Sequence, residues 1–193
     1  SNIIKLILLG ETKVGKTSFY NRFFYNKYEN NLCCTIGINE NSKYINFNEN
    51  FYKIQLWDTA GQERFRSLPK KYYQKIDGVI LLYDITDEES FDNIIKWLKD
   101  LYENGNENII IYLLGNKVDL YEKRKISFET GNNIAKQKNI KFMEISCKLD
   151  LNISDCLYNL VYDIIYMEQK HEEDNVSITI DNNDNSNTYF NCC

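Results

Sequence analysis

The run Gly10-Glu11-Thr12-Lys13-Val14-Gly15-Lys16-Thr17 has the spacing of a phosphate-binding loop. Its glycines let the backbone wrap closely around phosphate oxygens, and N–H groups at the start of a following helix point at them. Lys16 supplies a point charge to the β- and γ-phosphates, and the Thr17 hydroxyl is a ligand for Mg²⁺. Lys13 stands where a small residue is expected. Its side chain either points to solvent or adds positive charge near the phosphates.

A second group is Gly115-Asn116-Lys117-Val118-Asp119. The Asp119 carboxylate can accept two parallel hydrogen bonds from N1–H and N2–H of guanine, a pattern adenine does not offer. Asn116 can tie the loop together and reach the ring, and the Lys117 stem can lie along its face. Backbone N–H groups of Ser146, Cys147 and Lys148 are placed to meet the guanine O6. In a third group, Asp58 suits a metal through water, Gly61 brings an N–H to the γ-phosphate, and Gln62 can orient an attacking water. The three groups together point to a guanine nucleotide, a divalent cation and water.

These groups need strand ends to hold them. Ile3–Leu9, Val79–Tyr83, Ile109–Leu114 and Lys141–Ile145 read as buried strands. Phe91, Ile94, Ile95, Leu98, Leu101 and Tyr102 recur at helical spacing, as do Ile153, Cys156, Leu157, Leu160, Val161, Ile164 and Ile165, with Asn152 or Ser154 as a cap. Lys43–Phe47 and Phe51–Trp57 flank a turn at Asn48-Glu49-Asn50. The pattern predicts an α/β fold: a six-stranded, mostly parallel sheet with one antiparallel edge strand and helices on both faces. Ligands of such sheets bind beyond the carboxyl ends of the strands, where the three groups lie. A nucleotide-binding domain is expected over 1–168, and the polar, acidic stretch 169–193 reads as a flexible tail.

Composition narrows the chemistry. Among 193 residues, 23 Lys and Arg face 28 Asp and Glu, an acidic balance that argues against nucleic acid as a partner. The single histidine, His171, excludes histidine triads and multi-histidine metal sites. The six cysteines form no C-x-x-C pair, and Ser1 to Gly10 lacks the features of a signal peptide, so a reducing cytosolic setting is expected.

The chain resembles a small GTPase of the Ras superfamily, and within it the Rab branch. The phosphate loop, Thr35-Ile36-Gly37, the stretch from Trp57 to Phe65, Tyr83-Asp84-Ile85-Thr86, Asn116–Asp119 and the terminal Cys192-Cys193 carry this resemblance, which covers about residues 3–168 and the last two cysteines. It implies GTP/GDP contacts from Gly10, Thr12, Lys13, Val14, Gly15, Lys16, Thr17, Ser18, Tyr28, Thr35, Gly61, Asn116, Lys117, Asp119, Ser146, Cys147 and Lys148. Tyr28 would edge onto guanine, and Thr35 would join Thr17 and Asp58 around Mg²⁺. Catalysis would fall to Gln62, Lys16 and Gly61. Ile36, Gly37, Ile38, Glu40, Trp57 and Tyr72 would face effectors, and Glu40 stands where the family usually has phenylalanine.

The resemblance further implies slow intrinsic GTP hydrolysis, raised by an activating protein. Partners would be an exchange factor, an escort protein and a GDP-dissociation inhibitor, with effectors recognising the GTP state. The chain would be a monomer on the cytoplasmic face of an endomembrane, with a cytosolic pool. Two geranylgeranyl groups on Cys192 and Cys193 would attach it, since one lipid gives only marginal anchoring. Competing readings are a GTP-dependent binding module with negligible hydrolysis, an adenine-nucleotide enzyme using the same loop, and a Ras-like or Rho-like signalling GTPase.

Overall fold

In a computed structural model, residues 3–30, 38–59, 75–106 and 108–184 are described. The strands are β1 (Ile3–Leu9), β2 (Ile38–Phe47), β3 (Asn50–Thr59), β4 (Gly78–Asp84), β5 (Ile110–Asn116) and β6 (Lys141–Glu144). They form one sheet in the order β2-β3-β1-β4-β5-β6. Every neighbouring pair is parallel except β2 with β3. The helices are α1 (Lys16–Tyr25), α2 (Glu88–Asp92), α3 (Ile94–Asn104), α4 (Phe128–Gln137) and α5 (Ile153–Asp184), with a 3₁₀ segment over Val118–Lys123.

Strand alternation builds two apolar layers. On one side Leu6, Leu8, Ile80, Leu82 and Leu114 meet Phe19 of α1 and Cys156, Leu160 and Ile164 of α5. On the other, Ile7, Leu9, Val79, Leu81 and Leu113 meet Ile94, Leu98 and Leu101 of α3 and Ala135 of α4. Strands buried on both faces explain the unbroken Ile and Leu runs. Each such side chain contributes roughly 1.5–3 kcal/mol by leaving water.

The strands run longer than their apolar centres: β4 and β5 reach Asp84 and Asn116, so these polar residues are the last of their strands. The hairpin turn has two residues, not three. Asn48 and Glu49 take φ of 47° and 65°, and Asn50 already pairs with Phe47. Two consecutive left-handed residues give the turn whose twist matches the flanking strands.

The apolar residues 91–102 do not form a single stripe. The chain breaks between α2 and α3, and Ile95 and Tyr102 are exposed while Ile94, Leu98 and Leu101 are buried. The i, i+4, i+7 set fixes the inner face, and their neighbours turn outward. Asn152 adopts φ 61° but does not cap α5 with its side chain, whose Nδ2 donates to the Glu144 carbonyl at 2.8 Å; Ser154 lies inside the helix. α5 is continuous to Asp184 and so runs into the stretch 169–193 expected as a tail. No Gly or Pro interrupts 153–184, so nothing in the backbone chemistry stops it. No helix of the described residues is long and apolar enough to cross a membrane.

Candidate functional site

The sheet register brings the polar strand ends to one edge. Leu8 of β1 lies level with Asp58 of β3, and Asp84 of β4 lies level with Asn116 of β5. The phosphate loop leaves β1 at this edge and turns into α1. Gly10 (φ 132°) and Gly15 (φ 106°) are irreplaceable on steric grounds: a Cβ would overlap the Leu82 carbonyl oxygen at the first and the Asn116 side-chain amide at the second. Val14 is buried beneath the loop, Thr12 and Ser18 are half-buried, and Lys13 is exposed. Lys16, only 5% exposed, donates from Nζ to the carbonyls of Gly10 and Glu11 at 2.6 and 2.7 Å. The loop therefore closes around its own ammonium.

Helix α1 opens on Gly15 with no side-chain cap and no acidic residue in its first turn. α2 and α4, by contrast, are capped by Asp87 and Ser127. The first N–H groups of an uncapped helix suit an anion.

Asp58 is fully buried, and neither carboxylate oxygen has a hydrogen-bond partner among the described residues. Burial pushes its carboxyl up to about 6. The Thr17 hydroxyl, which faces it without reaching hydrogen-bonding geometry, and the Lys16 ammonium pull the other way. An ionised carboxylate in such a place is costly unless a cation joins it. A carboxylate and a hydroxyl are hard oxygen donors that fit Mg²⁺, which takes few protein ligands and completes its shell with phosphates and water. No cluster of three or more His, Cys, Asp or Glu suited to a metal occurs among the described residues.

The base side is braced by hydrogen bonds. Asn116, 2% exposed, donates from Nδ2 to the Val14 carbonyl at 2.7 Å and accepts from the Cys147 N–H at 3.2 Å. It joins the phosphate loop, β5 and the loop after β6. The Ser146 hydroxyl donates to Asp119 Oδ1 at 2.6 Å, and Lys148 Nζ stands 4.0 Å from Oδ2. These contacts hold the carboxylate in one orientation. Tyr28 is half-buried, and its hydroxyl is pushed up by burial, then by Asp119 and Cys147 nearby, which places the ring beside this part of the site.

Two of the three amides expected for O6 are engaged within the protein. The Ser146 N–H donates to the Leu151 carbonyl and the Cys147 N–H to Asn116, which leaves the Lys148 N–H for that role. The Cys147 thiol is buried and pushed up to about 12 by that burial, so it is a packing group.

Sequence reasoning gave no role to three residues that brace this region. Asp84 Oδ2 pairs with Lys117 Nζ at 2.6 Å, while Oδ1 accepts from the N–H and hydroxyl of Thr86 at 2.9 and 2.7 Å. Lys117, at φ 69°, is thus anchored at its ammonium, with its stem left to line the site. Arg22 of α1 donates from Nε to the Cys147 carbonyl and from its terminal nitrogen to the Lys148 carbonyl, both at 3.0 Å. The end of a strand facing Asn116 could have flagged Asp84; no local signal marks Arg22.

The Ras family model matches residues 5–166. The chain is 37% identical over 194 residues to GTP-binding protein ypt2 of Schizosaccharomyces pombe, covering 99% of this chain and 96% of that protein. It is 38% identical over 198 residues to Ras-related protein Rab-8A of Bos taurus (98% and 95% covered), and 40% over 164 residues to Ras-related protein Rab-13 of Bos taurus (85% and 81%). The chain belongs to the Ras family. It is a small GTPase of Rab type, the branch that works in membrane trafficking. Its four parallel pairings and antiparallel edge hairpin are the Ras-like fold.

For this Rab-type chain, the expected effector-facing residues divide. Glu40 is exposed on β2, directly opposite the half-buried Trp57 of β3, and Ile38 begins β2. Thr35, Ile36, Gly37, Gly61, Gln62, Tyr72, Cys192 and Cys193 lie outside the described residues.

Proposed function

We propose that the chain binds GTP with Mg²⁺, hydrolyses it slowly, and uses the GTP and GDP states as a switch at an endomembrane. The buried Asp58 carboxylate, without a hydrogen-bond partner among the described residues and facing Thr17 beside the Lys16 loop, carries this reading, because it fits a cation next to a phosphate cradle. Thr17 and Asp58 would hold the ion, with Thr35 added by family resemblance. Magnesium, when bound, neutralises charge on the phosphate oxygens.

The chain's own groups do the rest. The N–H groups opening α1 and the Lys16 ammonium hold the phosphates, and Lys16 exchanges its loop carbonyls for them. Asp119, set by Ser146, accepts from the guanine edge, with the Lys117 stem and Tyr28 along the ring. Gln62 orients the attacking water and the Gly61 N–H meets the γ-phosphate. With no arginine supplied by a partner, turnover is of order 10⁻⁴ s⁻¹, a barrier of roughly 22–23 kcal/mol that an activating protein lowers.

The cycle would further involve an exchange factor, an escort and a GDP-dissociation inhibitor. Lipids on Cys192 and Cys193 would attach the chain to the cytoplasmic face, with a cytosolic pool. Glu40, exposed opposite Trp57, favours effectors that present a cation to this edge. Denaturing freshly isolated native protein and separating what it releases tests the reading: GDP or GTP is expected, and release of adenine nucleotide or of none defeats it.

A further inference from the structure

Positive φ in the phosphate loop falls on Gly10, Lys13 and Gly15, at 132°, 65° and 106°. For the two glycines this costs little; for a lysine it is strained. The fold gives Lys13 nothing in return. Its side chain is exposed, unlike the buried Val14 beside it, and it makes no hydrogen bond or ion pair among the described residues. Strain kept without an internal contact points to a use outside the fold.

The other charges of the loop are already committed. Lys16 is held inside by the Gly10 and Glu11 carbonyls, and the Glu11 carboxylate accepts from Trp97 Nε1 of α3 at 3.3 Å. Lys13 is therefore the loop cation that stands in solvent, on a four-carbon stem able to lean over what the loop encloses.

We infer that Lys13 is a second, charge-selective contact to the polyphosphate tail of the bound nucleotide, favouring a triphosphate over a diphosphate. This rests on the nucleotide reading of the loop given above. A cation at an exposed rim acts through water, so its contribution is modest and screened by salt, and it grows with the charge of the ligand.

The test is to strip the full chain of nucleotide and measure dissociation constants for GDP and for a slowly hydrolysed GTP analogue. Lys13→Ala should weaken the analogue about tenfold, or about 1.4 kcal/mol, and GDP by no more than about threefold. Lys13→Arg should keep the wild-type ratio, and high ionic strength should erase the difference between wild type and Lys13→Ala. Lys13→Gly separates charge from backbone: it relieves the strain and folds at least as well, yet should lose the analogue as Lys13→Ala does. An unchanged analogue-to-GDP ratio in both Lys13→Ala and Lys13→Gly overturns the inference. Wild-type protein that binds neither ligand overturns the underlying reading, a result distinct from an unchanged ratio.

Discussion

The two halves of the site are finished to different degrees. Around Asp119, the groups that frame the base side are already tied: Asn116 to Val14 and Cys147, Ser146 to Asp119, Lys117 to Asp84, and Arg22 to the carbonyls of Cys147 and Lys148. Around Asp58, the arrangement is left incomplete. The carboxylate is buried without a hydrogen-bond partner among the described residues, α1 has no side-chain cap, and Lys16 turns onto its own loop. Recognition of the base is built in advance, so little ordering cost falls on binding there. The phosphate end holds unfavourable charge that a cation and an anion relieve together. On the proposed reading, identity would be read by a rigid surface, while binding at the other end would complete an incomplete one.

The largest effect that would break this contrast is expected at Asp119. Asp119→Asn replaces an acceptor pair by a mixed donor and acceptor, and should weaken GTP by about 3 kcal/mol, on the order of a few hundredfold, with xanthosine nucleotides now preferred. Competition binding checks it; an unchanged base preference would mean that the carboxylate does not meet the base. Next, Asp58→Asn should have opposite signs in two states. In chelator, the nucleotide-free variant should gain about 1–3 kcal/mol in urea unfolding, because a buried lone charge is removed. With nucleotide present, the stabilisation that Mg²⁺ gives wild type should be lost. A variant less stable than wild type in chelator would show that Asp58 is satisfied without a cation.

Asn116→Ala sharpens the other side. It strands the Val14 carbonyl and the Cys147 N–H, and should cost about 1–3 kcal/mol even without ligand. Hydrogen exchange on nucleotide-free protein should then rise at both loops, whereas in wild type the Cys147 amide should already be protected. The smallest effect is expected from Thr86→Val, which removes one hydrogen bond to Asp84 and loosens Lys117 indirectly. A cost near 1 kcal/mol and a nucleotide off-rate raised about fivefold are expected. An off-rate equal to wild type would mean that the ammonium anchor does not matter to the base side.

Most of the layout of the candidate site was legible from spacing alone, because phosphate loops and strand-end carboxylates are local patterns. Gly10 and Gly15 sit where the motif put them, and Asp58 lies at a strand end as its flanking residues implied. What escaped was set by distant contacts. Arg22 acts on carbonyls 125 and 126 residues away, and Asn152 gives up its capping role for the Glu144 carbonyl. The Ser146 and Cys147 amides seemed available because their partners, Leu151 and Asn116, belong to a loop closure that no periodicity shows. The length of α5 is of another kind: polar composition does not mark where a helix ends, because a polar segment without Gly or Pro also extends a helix already nucleated by the packed turns before it.

Helix α1 has a consequence for how the molecule lets go. Its ten residues begin at the loop that cradles one end of the ligand and carry, within the same rigid rod, the arginine that steadies the loop at the other. A push that tilted this rod would move both ends together.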